Sequence, residues 1–156
     1  MTGHVENSVV IDAPMDLVWR MTNDIESWPT LFSEYSDAKI LERDGDTIRF
    51  RLTLHPDEDG KVWSWVSERV PDAETRTVVA RRLPPGPFEY MDIRWLYDEP
   101  ESGGVRMTWI QDFHMRAEAP VDDAQMQARL DAGTKVQMPL IKERIEKAAA
   151  ANGADS

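Results

Sequence analysis

The middle of the chain alternates apolar and polar residues with a period of two. In residues 47–55 the apolar side chains occupy every second position: Ile48, Phe50, Leu52 and Leu54. Because successive side chains of a β-strand point to opposite faces, this pattern predicts a strand with one buried face. Similar patterns, separated by turn signals, predict further strands at 4–11, 37–43, 61–70, 75–83, 88–98 and 105–116.

Two short helices are predicted between the first strand and the others. The first begins at Asp12-Ala13-Pro14, because proline is favoured in the first turn of a helix, and it ends near Asn23-Asp24. The second has apolar residues at the i, i+3, i+4, i+7 spacing of one helix face: Trp28, Leu31, Phe32 and Tyr35. Pro29 is compatible with this helix only in its first turn.

A long helix is predicted from about Val121 to Ala150. Its apolar stripe consists mainly of Met126, Leu130, Ile141 and Ile145. Pro139 lies inside this pattern and should kink or break the helix, because proline removes one backbone hydrogen bond. The tail from about residue 150 is expected to fray.

The order of these elements predicts the fold class. Hairpin-length connections between the last six strands predict an antiparallel sheet with one buried face. One long helix can cover that face only if the sheet curls around it. We therefore expect an α+β helix grip, a curved sheet of about seven strands around the C-terminal helix, in a single domain over residues 1–156. A hollow between sheet and helix is possible in such a fold.

The predicted strand 61–70 carries the most informative set of side chains. Its alternation places four residues on one inward face: Trp63, Trp65, Ser67 and Arg69. A buried arginine needs polar partners, which an aromatic-walled, wet cavity can supply. The alternative is a cation–π contact in which the Arg69 stem lies on Trp65 and the charged group reaches the surface. This strand alone leaves both interpretations open.

Other polar groups are expected to face the same interior. Gln111 lies between Trp109 and Phe113 on the inward side of its strand, and Tyr35 ends the apolar face of the second short helix. A buried glutamine or tyrosine is more often structural than functional when it stands alone. The convergence of these groups with Arg69 favours a functional pocket.

Composition and charge exclude several classes of protein. The 156 residues include no cysteine, which excludes disulfides, thiolate nucleophiles and zinc–sulfur sites. The formal net charge of −11 argues against nonspecific binding to nucleic acid or anionic membranes. No apolar run approaches the ~18 residues of a membrane span, and the first residues lack the features of a signal peptide. We therefore expect a cytoplasmic protein.

The sequence offers little support for nucleophilic, metal or phosphate-dependent chemistry. His4, His55 and His114 are scattered, and no Ser–His–acid arrangement can be read from their positions. No motif with metal-ligand spacing and no glycine-rich phosphate loop is present. An enzyme with this sequence is expected to work without a metal or another cofactor.

Several sequence blocks resemble known proteins. Ile11–Trp19, IDAPMDLVW, resembles the opening of the Bet v 1/START-like superfamily. The more specific blocks are TNDIESWPTLFSEY at 22–35, KVWSWVSER at 61–69, GPFEYM at 86–91 and WIQDF at 109–113. Together they are similar to the monodomain aromatase/cyclases of bacterial type II polyketide synthases, in particular the tetracenomycin and spore-pigment branch. The resemblance extends from about Asn7 to Glu146.

This resemblance implies a helix grip with a deep pocket that receives a poly-β-ketone tethered to an acyl carrier protein. It implies first-ring closure between carbons 9 and 14 of that chain, in concert with the minimal polyketide synthase. The positions that match the family's pocket and catalytic residues are Trp28, Phe32, Tyr35, Trp63, Trp65, Ser67, Arg69, Trp95 and Gln111. This sequence departs from the family pattern at Pro139 and at Leu83-Pro84-Pro85.

The residues and the resemblance together suggest a mechanism. Arg69 would donate hydrogen bonds to the carbonyl under attack, and Tyr35 would supply the proton when the hydroxyl leaves as water. Ser67 and Gln111 would hold neighbouring oxygens, and the aromatic residues would shape the walls. A carrier of hydrophobic ligands and a chaperone that only shields the polyketide are the alternatives. Arg81-Arg82 is the candidate for a basic patch that docks the carrier protein.

Overall fold

The computed structural model describes residues 2–154, and most of them belong to one antiparallel sheet and one long helix. The strands are β1 (Gly3–Ile11), β2 (Tyr35–Asp44), β3 (Thr47–Leu54), β4 (Ser64–Asp72), β5 (Thr77–Arg82), β6 (Phe88–Asp98) and β7 (Val105–Met115). They are ordered β1-β7-β6-β5-β4-β3-β2 across the sheet. The helices are α1 (Met15–Asn23), α2 (Trp28–Leu31) and α3 (Asp123–Ala154), with a 3₁₀ turn at Ile25–Ser27. This architecture confirms the predicted α+β helix grip.

The long helix α3 lies alongside β1 and is attached to it by side-chain hydrogen bonds. The backbone N–H of His4 donates to Gln127 Oε1 at 3.0 Å, and that of Asp12 donates to Glu146 Oε2 at 2.8 Å. At the start of α3, Asp123 Oδ1 accepts the backbone N–H of Met115 at 2.7 Å. These contacts fix α3 along the edge of the sheet, with its apolar residues toward the core.

Two predictions about helices need correction. The helix α2 ends at Leu31, because Phe32 has an extended backbone with φ −102° and ψ 152°. Tyr35 therefore begins β2 instead of ending a helix, although its ring still faces the same core. The helix α3 is not broken at Pro139. It continues to Ala154. The fraying of the tail from about residue 150 stays a prediction, and residues 155–156 lie outside the described residues.

The core is divided between a large cluster and a small one. The large cluster fills the space between the sheet, the short helices and the C-terminal half of α3, and it contains the buried aromatic residues Trp28, Phe32, Tyr35, Phe50, Trp95, Tyr97 and Trp109. The small one lies where α3 begins and consists of Val5, Phe88, Met91, Phe113, Met115 and Met126. Among the described residues, no helix is long and apolar enough to cross a membrane.

Candidate functional site

Arg69 is the most deeply buried charged residue that the sequence singles out, with 2% of its surface exposed. Its strand β4 directs it toward the core beside Ser67, and its guanidinium carbon lies 4.2 Å from the centre of the Trp95 ring and 5.2 Å from that of Trp28. The alternative in which Arg69 lies on Trp65 and reaches the surface is wrong. Trp65 instead contacts Arg82, whose guanidinium carbon is 4.0 Å from its ring centre.

The partners of Arg69 lie at the C-terminal end of α1. Nη2 donates to Asn23 Oδ1 at 2.8 Å and to the carbonyl oxygen of Thr22 at 3.4 Å, while Nε donates to Asn23 Oδ1 at 3.3 Å. The carbonyl end of a helix carries partial negative charge, which stabilises a cation. Among the described residues, no carboxylate pairs with Arg69. Its positive charge is therefore balanced by neutral oxygens and indole faces.

This arrangement leaves Arg69 charged and partly free to donate. Burial lowers the pKa of Arg69 to about 10, and nearby Tyr97 opposes that effect, so the guanidinium is protonated near neutral pH. Nε and Nη2 make the three bonds to Asn23 and to the Thr22 carbonyl, and Tyr97 also hydrogen-bonds to the guanidinium. Because a guanidinium carries five N–H groups, one remains for a ligand oxygen that enters the core.

The sequence did not reveal the residues that hold Arg69 in place. Asn23 Nδ2 donates to the carbonyl oxygen of Trp19 at 2.9 Å, which turns Oδ1 toward Arg69. The hydroxyls of Thr22 and Tyr97 lie 2.7 Å apart, and Trp28 Nε1 donates to the Thr22 carbonyl at 3.2 Å. The predicted end of α1 near Asn23 could have pointed to them, because the last carbonyls of a helix need hydrogen-bond donors from elsewhere in the protein.

The aromatic residues pack against one another in front of Arg69. Trp95 stacks on Trp109 with 4.5 Å between ring centres and 15° between planes, and it stacks on Trp28 at 5.7 Å. Phe32 lies 5.2 Å from Trp28 and 5.8 Å from Trp109. The structure thus brings Trp28, Phe32 and Trp95 together as predicted.

Tyr35 lies in a second set of polar side chains, together with Glu34 and Arg82. Its ring lies 4.9 Å from Phe32, and burial raises the pKa of Tyr35 well above its usual value, with the neighbouring Glu34 adding to the shift. Burial also raises the pKa of Glu34, although the Tyr35 hydroxyl and the positive Arg82 oppose that change. Burial lowers the pKa of Arg82 to about 10. Tyr35 is therefore a neutral hydroxyl that hydrogen-bonds to Glu34 and has the Arg82 cation nearby.

Arg81 and Arg82 do not form one surface patch. Consecutive strand residues point to opposite faces. Arg81 is exposed and pairs with Glu68 at 3.0 Å, whereas Arg82 turns inward between Trp65 and Phe88. The idea of a joint docking patch is wrong for this reason. The inward direction of Arg82 could have been predicted from the sequence, because this residue shares its strand face with the buried residues Val78 and Ala80.

Trp63 does not share the interior with the other predicted residues. It lies one residue before β4 begins and is 44% exposed. Its Nε1 donates to Asp57 Oδ2 at 2.9 Å, and Lys61 Nζ lies 3.8 Å from its ring centre. The strand alternation therefore does not extend to Trp63. Its predicted inward position is wrong.

Ser67 and Gln111 face the interior as the alternation predicts. Ser67 is 3% exposed, and Gln111 is half-buried on β7 between Trp109 and Phe113. The hydroxyl of Ser67 and the amide of Gln111 can offer polar contacts to a ligand.

One further feature of the described residues, a groove, lies apart from this site. A groove of about 380 Å³ runs across the opposite face of the sheet, where Val70 and Val79 are flanked by Glu68, Arg81 and Arg94. It shares no residue with the aromatic cluster. Within the described part of the chain, no group of three His, Asp or Glu side chains is placed to hold a metal ion.

Comparison with known sequences finds polyketide cyclases. The sequence profile of the family described as "Polyketide cyclase / dehydrase and lipid transport" matches residues 11–137. A Streptomyces cyaneus protein named "Putative polyketide cyclase" is 56% identical over 147 residues, which cover 94% of this chain and 96% of that protein. The granaticin polyketide synthase bifunctional cyclase/dehydratase of Streptomyces violaceoruber is 26% identical over 127 residues, which cover 81% of this chain and 39% of that protein.

Comparison with solved structures shows the same fold. The crystal structure of the Zhui aromatase/cyclase from Streptomyces sp. R1128 matches with a TM-score of 0.77 and 22% identity. The match covers 96% of this chain and 94% of that one.

Proposed function

This chain belongs to the polyketide cyclase/dehydrase family, and we propose that it is an aromatase/cyclase of a type II polyketide synthase, which closes the first ring of a poly-β-ketone between carbons 9 and 14. The substrate is bound to an acyl carrier protein. The reaction is an aldol cyclisation followed by dehydration and aromatisation, and it needs no cofactor.

The observation that carries this proposal is the environment of Arg69. A buried guanidinium faces an aromatic interior, keeps one of its five N–H groups available and has no carboxylate partner among the described residues. A donor placed where negative charge develops lowers the barrier to carbonyl addition, and one such donor typically contributes about a hundredfold in rate. A carboxylate partner would weaken this effect, because it would already neutralise the cation.

The chemical steps assign roles to the side chains. A methylene between two carbonyls loses a proton to a base and forms the enol or enolate. Its carbon forms a bond to the target carbonyl carbon, the carbonyl π electrons move to oxygen, and Arg69 stabilises that oxygen before it is protonated. Loss of a second proton from the ring and of the hydroxyl as water then gives the double bond. Tyr35 protonates the leaving hydroxyl, which suits a phenol that burial keeps neutral.

The aromatic residues select the carbon that reacts. A poly-β-ketone has many equivalent carbonyls, so regiochemistry depends on how the chain is folded. Trp28, Phe32, Trp65 and Trp95 would line the path of the chain and fold it against Arg69. Ser67 and Gln111 would hold its neighbouring oxygens. Trp63 lies outside this enclosure and has no role in it.

Reconstitution with a minimal polyketide synthase and its carrier protein tests the proposal. The product mixture is compared with and without this protein by mass spectrometry and NMR. We expect scattered, spontaneously cyclised products to be replaced by one aromatic product closed between carbons 9 and 14. An unchanged mixture with a folded protein would overturn the proposal. If that protein retained the polyketide unaltered, it would be a ligand carrier.

A further inference from the structure

Trp109 has a buried indole N–H that donates to no described residue. The residue is 8% exposed and lies on the inward face of β7. Two other tryptophans differ in this respect, since Trp28 Nε1 donates to the Thr22 carbonyl at 3.2 Å and Trp63 Nε1 donates to Asp57 at 2.9 Å. Buried indole N–H groups usually have a partner. Trp109 therefore carries a free donor inside the aromatic cluster.

An unmade hydrogen bond of this kind destabilises the ligand-free protein. The N–H loses its bonds to water on burial and gains none in return. A phenylalanine at position 109 could stack on Trp95 without that cost. The indole nitrogen contributes nothing to packing that its ring does not already provide, which points to a use in ligand binding.

Trp109 and Arg69 both contact the ring of Trp95, which relates the position of one donor to that of the other. The Trp109 ring centre lies 4.5 Å from that of Trp95, and the Arg69 guanidinium carbon lies 4.2 Å from the same Trp95 ring centre. Across the sheet, β6 with Trp95 lies between β4 with Arg69 and β7 with Trp109. On the intervening strand β5, the residue paired with Arg69 is Ala80, whose side chain is small. Both donors therefore belong to side chains that contact the Trp95 indole.

We propose that Trp109 Nε1 is a second oxygen-binding donor of this site, which takes one carbonyl of the substrate while Arg69 takes another. This inference rests on the proposed function. The ligand class is a chain with oxygens on alternating carbons, because such a chain can satisfy both donors at once. Trp109 would then determine which carbonyl reaches Arg69, and so the register of ring closure.

The substitution Trp109→Phe tests this inference, because it removes the N–H and keeps a stacking ring. The probes are a medium-chain linear 1,3-diketone and the matched mono-ketone, titrated calorimetrically into the full chain. We expect Trp109→Phe to weaken binding of the diketone about tenfold and to leave mono-ketone binding nearly unchanged. The melting temperature of the ligand-free variant should equal or exceed that of the wild type.

Trp28→Phe is the matched control, since its indole N–H already bonds to the Thr22 carbonyl. We expect it to lower the melting temperature without ligand. If Trp109→Phe lowers the melting temperature as much and leaves the preference for the diketone intact, the inference is wrong, whatever the protein does in reconstitution.

The product assay separates this failure from failure of the proposed function. With the minimal synthase, Trp109→Phe should redistribute the cyclised products while cyclisation itself persists. A wild-type protein that changes no products would overturn the proposed function. A wild-type protein that cyclises, with Trp109→Phe giving the same single product, would overturn only the second donor.

Discussion

Arg69 is held by the side-chain amide of Asn23, whose Oδ1 accepts from Nη2 at 2.8 Å and from Nε at 3.3 Å. Asn23 is itself oriented by its bond to the Trp19 carbonyl. An amide oxygen fixes the guanidinium without neutralising it. The position of the cation is therefore determined while its charge stays available to a substrate.

Replacing Asn23 by aspartate should separate stability from activity. Asn23→Asp places a carboxylate against Arg69, so we expect folding to be retained and the cyclisation rate to fall about tenfold or more. Asn23→Ala is the companion variant, and it should lower the free energy of unfolding by about 1–3 kcal/mol, because it removes the acceptor for a buried charged donor. Chemical denaturation and single-turnover product formation measure the two effects. Full activity in Asn23→Asp would contradict this account of Arg69.

Tyr35→Phe should impair the loss of water more than ring closure. The phenol is the proposed proton donor, and such donors typically contribute about a hundredfold or more in rate. We expect cyclised products that retain the elements of water, detected by mass spectrometry. Because burial raises the pKa of Tyr35 well above its usual value, wild-type dehydration should not decline between neutral pH and about pH 9 through ionisation of this group. Normal dehydration in the variant would exclude the role.

Glu34 gives a prediction about stability and pH. Burial raises its pKa above the usual 4.5, so the folded state binds this proton more tightly than the unfolded state. The resulting stabilisation is complete below the unfolded pKa and is lost as the pH rises through the folded pKa. Glu34→Gln, which stays neutral, should therefore be more stable relative to the wild type at neutral pH than at pH 4. Urea unfolding at both pH values measures this, and a difference independent of pH would refute it.

Two tryptophan substitutions test the corrected position of Trp63. Trp63 is 44% exposed, so Trp63→Ala should cost only about 1 kcal/mol and leave the product pattern intact. Trp95 is 6% exposed at the centre of the aromatic stack, so Trp95→Ala should cost about 3–5 kcal/mol. Thermal unfolding and product analysis of both variants give the answer. A large loss of stability in Trp63→Ala would instead indicate that Trp63 lies in the interior.

Alternation of apolar and polar residues was sufficient to predict the sheet and most of the inward residues. It placed Ser67, Arg69, Trp95 and Gln111 correctly, because within a strand the side-chain direction is fixed by the backbone. It failed for Trp63, because the rule applies only inside a strand and β4 begins one residue later. The helical spacing that placed Tyr35 in the second short helix was misleading for a different reason, since α2 and the extended segment after it direct their rings to one core.

The partners of Arg69 could not be predicted from such a pattern. Asn23 lies 46 positions earlier in the chain, on a different element, and only the folding of α1 onto the sheet brings the two residues together. The unpaired donor of Trp109 likewise depends on what surrounds the indole ring. Local periodicity predicts which way a side chain points, and the tertiary fold determines what it meets.

The most direct test of the central claim is the product profile of the reconstituted synthase with Arg69→Ala. Arg69→Met, which preserves packing better, guards against a simple loss of folding. Arg106→Ala is the matched control, because Arg106 is an exposed arginine paired with Asp98 on the surface. The account predicts that both Arg69 variants lose the single cyclised product and that Arg106→Ala keeps it. If the folded Arg69 variants still gave that product, the interior would direct the reaction by shape alone, and the proposed role of Arg69 would be wrong.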